Sequence, residues 1–401
     1  MHQKIIRQYV VLWSLFMAGG MFTSATYVTF LRENGLNLFE VNMMNVVFYV
    51  TIFAFEIPTG AFADIFGRKK SVIIACCLRA LGSFIYGGSH TFWGFACAEA
   101  TAAVGATFMN GAFQAWLVDS LKHHGHEGDL GRIFARANLY GQVVGSICCI
   151  MGAYIAVKHP SVPWYLGGAI EIVVAVLAYA VIKEEYFVHQ EFSWKKGICQ
   201  MRDIAVSSVR YGRENRAVRF ILIVTSMQIF AVQAFNMYWQ PFFGSRHIEK
   251  EHFGFIFSGM MACLALGAFL ASRINSRNKE KKILILAQAV AGVLVMLALC
   301  LSNLALVLVA FLLHETARGF WNPMKDAYLH KHIPSHERAT IASFCSVAPH
   351  VGGAVGLVVS GAVAESAGIS AAWAVAASVL IIGALLVAKN GHASSDNAVK
   401  L

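Results

Sequence analysis

The sequence predicts an all-α polytopic membrane protein of twelve spans in two pseudo-symmetric six-helix bundles, with both termini cytoplasmic. Three observations predict it. Of the 401 residues, 57% are hydrophobic and only 13% are charged, against about 25% charged in ordinary soluble domains. The apolar residues run continuously for span length, and about 20 residues at 1.5 Å rise cross the hydrocarbon core. Lys and Arg collect on alternate loops.

The runs fall at 8–31, 41–62, 71–89, 92–119, 132–157, 163–183, 217–242, 252–273, 282–301, 304–330, 338–365 and 369–389. The first follows Lys4 and Arg7 and resembles a secretory leader cut after Ala25. Its apolar stretch reaches from Tyr9 to Leu31, longer than the about 7–15 residues of a leader, so it reads as an uncleaved first span.

An even number of spans puts both termini on one side. With that side cytoplasmic, it holds 26 of the 32 Lys and Arg. The opposite face holds Arg32, Lys158, Arg246 and Lys250, and Arg79 and Arg318 lie within spans. The positive-inside rule fixes this orientation. It also accounts for the net charge of +10 without a nucleic-acid surface.

Residues 184–216 separate the halves and read as a cytoplasmic basic amphipathic linker, with Lys195, Lys196, Arg202, Arg210 and Arg213 beside Ile198, Met201, Ala205 and Val209 at helical spacing. The expected domains are a bundle over 1–183, this linker, a bundle over 217–390 and a short cytoplasmic tail over 391–401. An internal repeat supports the division. Gly60-Ala61-Phe62 recurs as Gly267-Ala268-Phe269, Asp119 maps to Asp326, and Gly145 maps to Gly352, each at an offset of 207.

The nine cysteines form no CxxC pair, and eight lie in apolar runs, as small buried residues do. His123-His124-Gly125-His126 has no companion ligands at metal spacing and reads as a solvated loop. Neither a metal nor a cofactor is expected. No nucleotide-binding glycine loop or catalytic triad occurs, so the chain does not read as an enzyme.

Ionisable groups inside spans are costly and therefore informative. Glu56, Glu99, Glu171, His314 and Glu315 are the groups whose protonation burial could tune for proton coupling. Glu56 and Arg79 lie at similar depth and are expected to pair. Glu99, Ala103, Thr107, Asn110 and Gln114 share one face of the fourth span. Gln233, Asn236 and Gln240, with Trp239, share a face of the seventh. His314, Arg318, Trp321 and Lys325 stripe the tenth, and Gly20, Thr23, Tyr27 and Phe30 mark the first.

One motif carries a family resemblance. After the second span comes Gly60-Ala61-Phe62-Ala63-Asp64-Ile65-Phe66-Gly67-Arg68-Lys69-Lys70. Gly60 and Gly67 suit a close helix approach and a tight turn, Asp64 suits a helix N-terminus, and Arg68 suits a carboxylate partner. The string resembles the signature loop of the major facilitator superfamily, at the place where that family has it. The resemblance covers the whole chain in architecture and short stretches in sequence. It implies that Arg68 pairs with Asp119 and that Asp64 meets the eleventh helix near Ser335 to Ala339. Gly60, Asp64, Gly67, Arg68, Lys69 and Asp119 would then gate the cytoplasmic side. The second half keeps a decayed copy, with Ala271 where the aspartate would fall.

The resemblance also implies that helices 1, 4, 7 and 10 line a central cavity. Thr23, Tyr27, Asn110, Gln114, Gln233, Asn236, Trp239, Arg318 and Trp321 would be its substrate-facing residues, and Glu99, Glu315, His314 and Glu56 its proton-coupling candidates. Most similar are bacterial multidrug or macrolide-efflux-like permeases, with siderophore exporters close in appearance. The reading is a monomeric inner-membrane secondary transporter that exports a small amphipathic organic compound against protons. Proton-coupled uptake of a nutrient or metal chelate is the alternative, and a non-transporting sensor the second. One departure stands against antiport: helix 5 reads Gly141-Gln142-Val143-Val144-Gly145 with no proline, where many antiporters of the family carry Gly-Pro. Pro349-His350-Val351-Gly352-Gly353 is a similar string in helix 11.

Overall fold

A computed structural model of the chain describes residues 1–184, 215–274, 276, 278–332, 345 and 349–392. The described residues are helical throughout and hold no strand. In chain order the helices are α1 (His2–Ser24), α2 (Tyr27–Glu33), α3 (Leu38–Phe66), α4 (Arg68–Gly88), α5 (Phe92–Met109), α6 (Ala112–His123), α7 (Leu130–Lys158) and α8 (Val162–Val181). They continue as α9 (Arg216–Gly244), a 3-10 turn (Lys250–His252), α10 (Phe253–Arg273), α11 (Glu280–Cys300), α12 (Leu304–Gly319), α13 (Trp321–His332), α14 (His350–Ala367) and α15 (Ile369–His392).

Eleven of the described helices, counting α12 with α13, are long and apolar enough to cross a membrane. The fourth apolar run, 92–119, is not a single helix. It divides into α5 and α6 at Asn110–Gly111, where Gly111 takes a φ of +73°, a conformation that a side chain disfavours. The first run breaks at Ala25–Thr26 and the tenth at Phe320. The linker from 185 to 214, the start of the eleventh run and the tail beyond 392 lie outside the described residues.

The helix starts are set locally. Asn37 and Glu40 form a reciprocal capping box at α3 (2.8 Å each way). Asp129 accepts from the Gly131 and Arg132 amides at α7, and Asn303 from Ala305 and Leu306 at α12. Each satisfies amides that lack an intrahelical acceptor.

The chain forms two compact units. The first holds the described residues up to 184 together with Phe243–Ser258; the second holds 215–242 and the described residues from Gly259 onward. The sequence placed 243–258 with the second half. In the first unit, Gly254 packs against the backbone of Ile150, and Tyr154 meets Phe255 edge-on. The core of the first unit is an aromatic stack of Tyr9, Phe113 and Trp116. The second centres on Trp373, which stacks on Phe311 at 5.2 Å and donates to the Ala234 carbonyl at 3.1 Å. Large apolar side chains such as Phe53, Val143 and Leu286 are exposed, as membrane-facing helices require.

Candidate functional site

The loop between α3 and α4 turns at Gly67, whose φ of +96° makes glycine the fitting residue. Arg68, opening α4, forms an ion pair with Asp119 of α6 at 2.7 Å. Lys69 stands over the Tyr179 ring at 4.8 Å. A carboxylate that the motif did not announce also sits here. Glu184 accepts the Arg68 backbone N–H at 2.6 Å, so an anion meets the N-terminus of α4. Trp116 donates to the neighbouring Lys183 carbonyl at 3.2 Å.

The expectation for Gly60 needs revision, and that for Asp64 falls outside the described residues. Asp64 is exposed, and the stretch expected to meet it lies outside the described residues. No described atom lies within 4 Å of a Cβ added at Gly60, so the close approach expected there is not made by the described residues.

Two helix breaks gather the exposed polar groups. At the α5–α6 break, Asn110 donates to both carboxylate oxygens of Glu56 (3.3 and 3.4 Å), and Gln114 is exposed one turn on. In the second unit, beside the α12–α13 break, Arg318 donates to Glu315 at 2.6 Å and to the exposed Asn236 at 3.3 Å. Glu315 is fully buried, and its second oxygen has no hydrogen-bond partner among the described residues.

Other predicted polar residues turn inward. Glu99 is buried and accepts from the Tyr86 hydroxyl, with Tyr27 beside Tyr86 and within 3.3 Å of the Asn45 amide. Glu99, Ala103 and Thr107 are buried while Asn110 and Gln114 are exposed, because the break at Gly111 ends the shared face. Thr23 bonds back to the Gly20 carbonyl at 3.3 Å. Gln233, Trp239, Gln240 and Trp321 are buried, which leaves Asn236 as the exposed member of the α9 stripe. His314 faces α11: its Nδ1 lies 3.0 Å from the Ala291 carbonyl oxygen, and its ring packs edge-on against Phe235.

The expected Glu56–Arg79 pair does not form. Arg79 reaches Glu171 of α8 at 2.9 Å, while its guanidinium lies over the Phe16 ring at 4.3 Å. Gly19 and Gly20 make room for this pair: a Cβ at Gly19 would meet Glu171 at 3.1 Å, and one at Gly20 would meet Arg79 at 2.9 Å. Similar depth does not fix which way each side chain points. The absence of side chains at Gly19-Gly20 was the only hint in the sequence. For Glu184 there was none, since it falls at the first position of the linker.

The first unit therefore holds a helix broken at Gly111 with exposed amides beside Glu56, the second holds the Glu315–Arg318–Asn236 cluster, and the first also holds a loop with the motif's Arg68–Asp119 pair. The Major Facilitator Superfamily model matches residues 9–247 and 220–396. The chain belongs to the major facilitator superfamily. A vacuolar membrane amino acid uptake transporter of Schizosaccharomyces pombe, fnx2, is 27% identical over 40% of this chain, a match covering only 26% of that protein. The uncharacterized MFS-type transporter YxaM of Bacillus subtilis is 23% identical over 92% of both chains. Multidrug resistance protein 2 of the same organism is 22% identical over 75% of this chain and 74% of its own. The solved structure of the nucleoside transporter NupG superposes with a TM-score of 0.80 at 16% identity, covering 96% of this chain and 98% of that one. The likeness establishes the fold of a superfamily transporter.

Proposed function

We propose that this superfamily transporter exports a small amphipathic organic compound across the inner membrane in exchange for protons, working as a monomer by alternating access. The observation that carries the reading is a polar cluster at repeat-equivalent positions of the two halves, at the Gly111 break of the fourth span and at Arg318, 207 residues on, in the tenth. Non-helical backbone at membrane depth frees polar groups for a ligand, and transporters use it that way. Asn110 and Glu56 stand at the first, and Arg318, Asn236 and Glu315 at the second. Amides and a few fixed charges between aromatic and aliphatic helices suit an amphipathic molecule better than a bare ion.

Glu315 and Glu99 are the leading proton-coupling groups in this reading, followed by His314 and Glu56. An intramembrane carboxylate held by Arg318 or by Tyr86 can exchange a proton as its surroundings change. Arg68 and Asp119, with Asp64, form the gate. Their ion pair bridges α4 and α6 at the partly exposed end of both helices and can open without unpacking a core. Efflux has support in the likeness to multidrug resistance protein 2. Uptake is the second reading, favoured by the fnx2 match.

Proteoliposomes with an imposed pH gradient test this. Cationic dyes, macrolides and iron-chelate siderophores are screened while internal pH is followed. Substrate moving against the proton flow is the expected result. Substrate moving with protons replaces export by symport, and substrate movement indifferent to the gradient removes proton coupling. Glu99→Gln and Glu315→Gln separate the carboxylates: loss of pH dependence with substrate binding retained marks the coupling group.

A further inference from the structure

A groove lies between α1 and α7. It encloses about 480 Å³, and its walls include Val10, Leu15 and Val144. Arg7 and Arg136 stand at one end, both exposed, with Tyr140 beneath Arg136 at 5.6 Å. Neither guanidinium forms an ion pair with a described carboxylate. Arg132, one turn earlier on α7, differs: it is 88% exposed and paired with Asp129.

The face of α7 that carries Arg136 continues as Tyr140, Val143, Ile147 and Met151, at steps of four, seven, eleven and fifteen residues. All four are exposed. From Tyr140 to Met151 the helix rises about 17 Å, against about 15 Å for half of a 30 Å hydrocarbon core. A cationic pair thus heads an apolar strip one leaflet deep.

We propose that this groove is a binding site for an anionic phospholipid. The phosphate lies between Arg7 and Arg136, one acyl chain enters the groove along Val10, Leu15 and Val144, and the other follows the exposed strip of Val143, Ile147 and Met151. Two guanidiniums suit a phosphate because their planar forks donate several charge-assisted hydrogen bonds. They stand at the end of the bundle that carries the basic loops, where anionic headgroups meet cytoplasmic-side pockets. The strip has the length of a lipid tail in one leaflet, longer than the extent of a compact soluble anion.

Native mass spectrometry of the delipidated full-length chain tests the site, by titration with phosphatidylglycerol and phosphatidylcholine of equal chain length. Phosphatidylglycerol is expected to bind about 25-fold tighter, from roughly fivefold per basic residue. Arg7→Gln with Arg136→Gln should bring it down to the phosphatidylcholine level. Arg7→Lys with Arg136→Lys should keep most of the preference, and Arg132→Gln should keep all of it. Equal affinity of the wild-type protein for the two lipids overturns the proposal and needs no variant to fold. So does an unchanged preference in the double Gln variant. Competition with decyl sulfate identifies the other occupant: displacement of phosphatidylglycerol at equal concentration makes this a site for soluble organic anions and also overturns the lipid assignment.

Discussion

Gly60 and Gly267 stand in matching strings 207 residues apart, yet they do opposite things. Around Gly60 no described atom comes within 4 Å of an added Cβ. At Gly267 an added Cβ would overlap the Thr316 carbonyl oxygen, and Gly319 presses its Cα against the same crossing. The first half spends its motif on a loop: Gly67 turns, Arg68 reaches Asp119, and Glu184 meets the start of α4. The second has lost the aspartate to Ala271, a buried residue, and uses its glycine to bring α10 against α12. One repeat carries a partly exposed ion pair, Arg68 with Asp119, and the other a close helix crossing.

The buried charges differ in the same sense. Arg79 and Glu171 tie α4 to α8, whereas Glu315 and Arg318 lie one turn apart on α12. The first pair ties two helices directly, whereas the second neutralises its charges within one helix and reaches α9 through the Arg318–Asn236 hydrogen bond at 3.3 Å.

The largest expected effect breaks the inter-helix tie. Glu171→Ala leaves the partly buried Arg79 without its carboxylate and should cost about 3 kcal/mol, the low end for breaking a buried pair, because Arg79 keeps some access to solvent. Thermal unfolding in detergent measures it. Arg79→Met combined with Glu171→Leu should recover most of the loss, because the unpaired charge is then gone. Equal melting of the single and double variants would contradict the pairing.

Close to it in size is the glycine contrast. Gly267→Ala should cost about 3 kcal/mol, the upper end of ordinary overpacking, because backbone and not a flexible side chain must give way. Gly60→Ala should change stability by less than about 0.5 kcal/mol. Similar losses at both sites would erase the difference between the halves.

The gate pair should have a small effect on stability and a large one on transport. Arg68→Ala or Asp119→Ala removes a partly exposed ion pair worth about 1 kcal/mol or less. Transport should fall more than tenfold while the protein stays inserted and folded, and Asp64→Asn should behave alike. Glu184→Gln sharpens this: it keeps a hydrogen-bond acceptor at the start of α4 but removes its charge, so a partial loss of transport is expected. Normal transport in Asp64→Asn would sink the gating role.

The smallest effect is Arg132→Gln, which breaks an exposed pair with Asp129 and should shift stability by less than about 0.5 kcal/mol. A larger loss would mean that the start of α7 depends on that charge as well as on the Asp129 cap.

The sequence alone determined the all-helical membrane class, the order of the apolar runs and the repeat at offset 207, and the resemblance of its loop to the superfamily signature implied the Arg68–Asp119 pair that the structure contains. Composition, run length and a motif of defined spacing are local or statistical, so they survive without coordinates. Tertiary structure decided the rest. Helical periodicity placed Glu99 and Asn110 on one face, but Gly111 interrupts that face, and a break depends on a single φ that periodicity averages over. Equal depth put Glu56 beside Arg79, but rotation about the helix axes gave Arg79 to Glu171 and Glu56 to Asn110. Glu184 looked like the first residue of a linker until the end of α8 brought it to α4. Which residues are polar is written in the chain; which way each points is set by how the helices pack, because packing fixes each helix's rotation and sequence spacing does not.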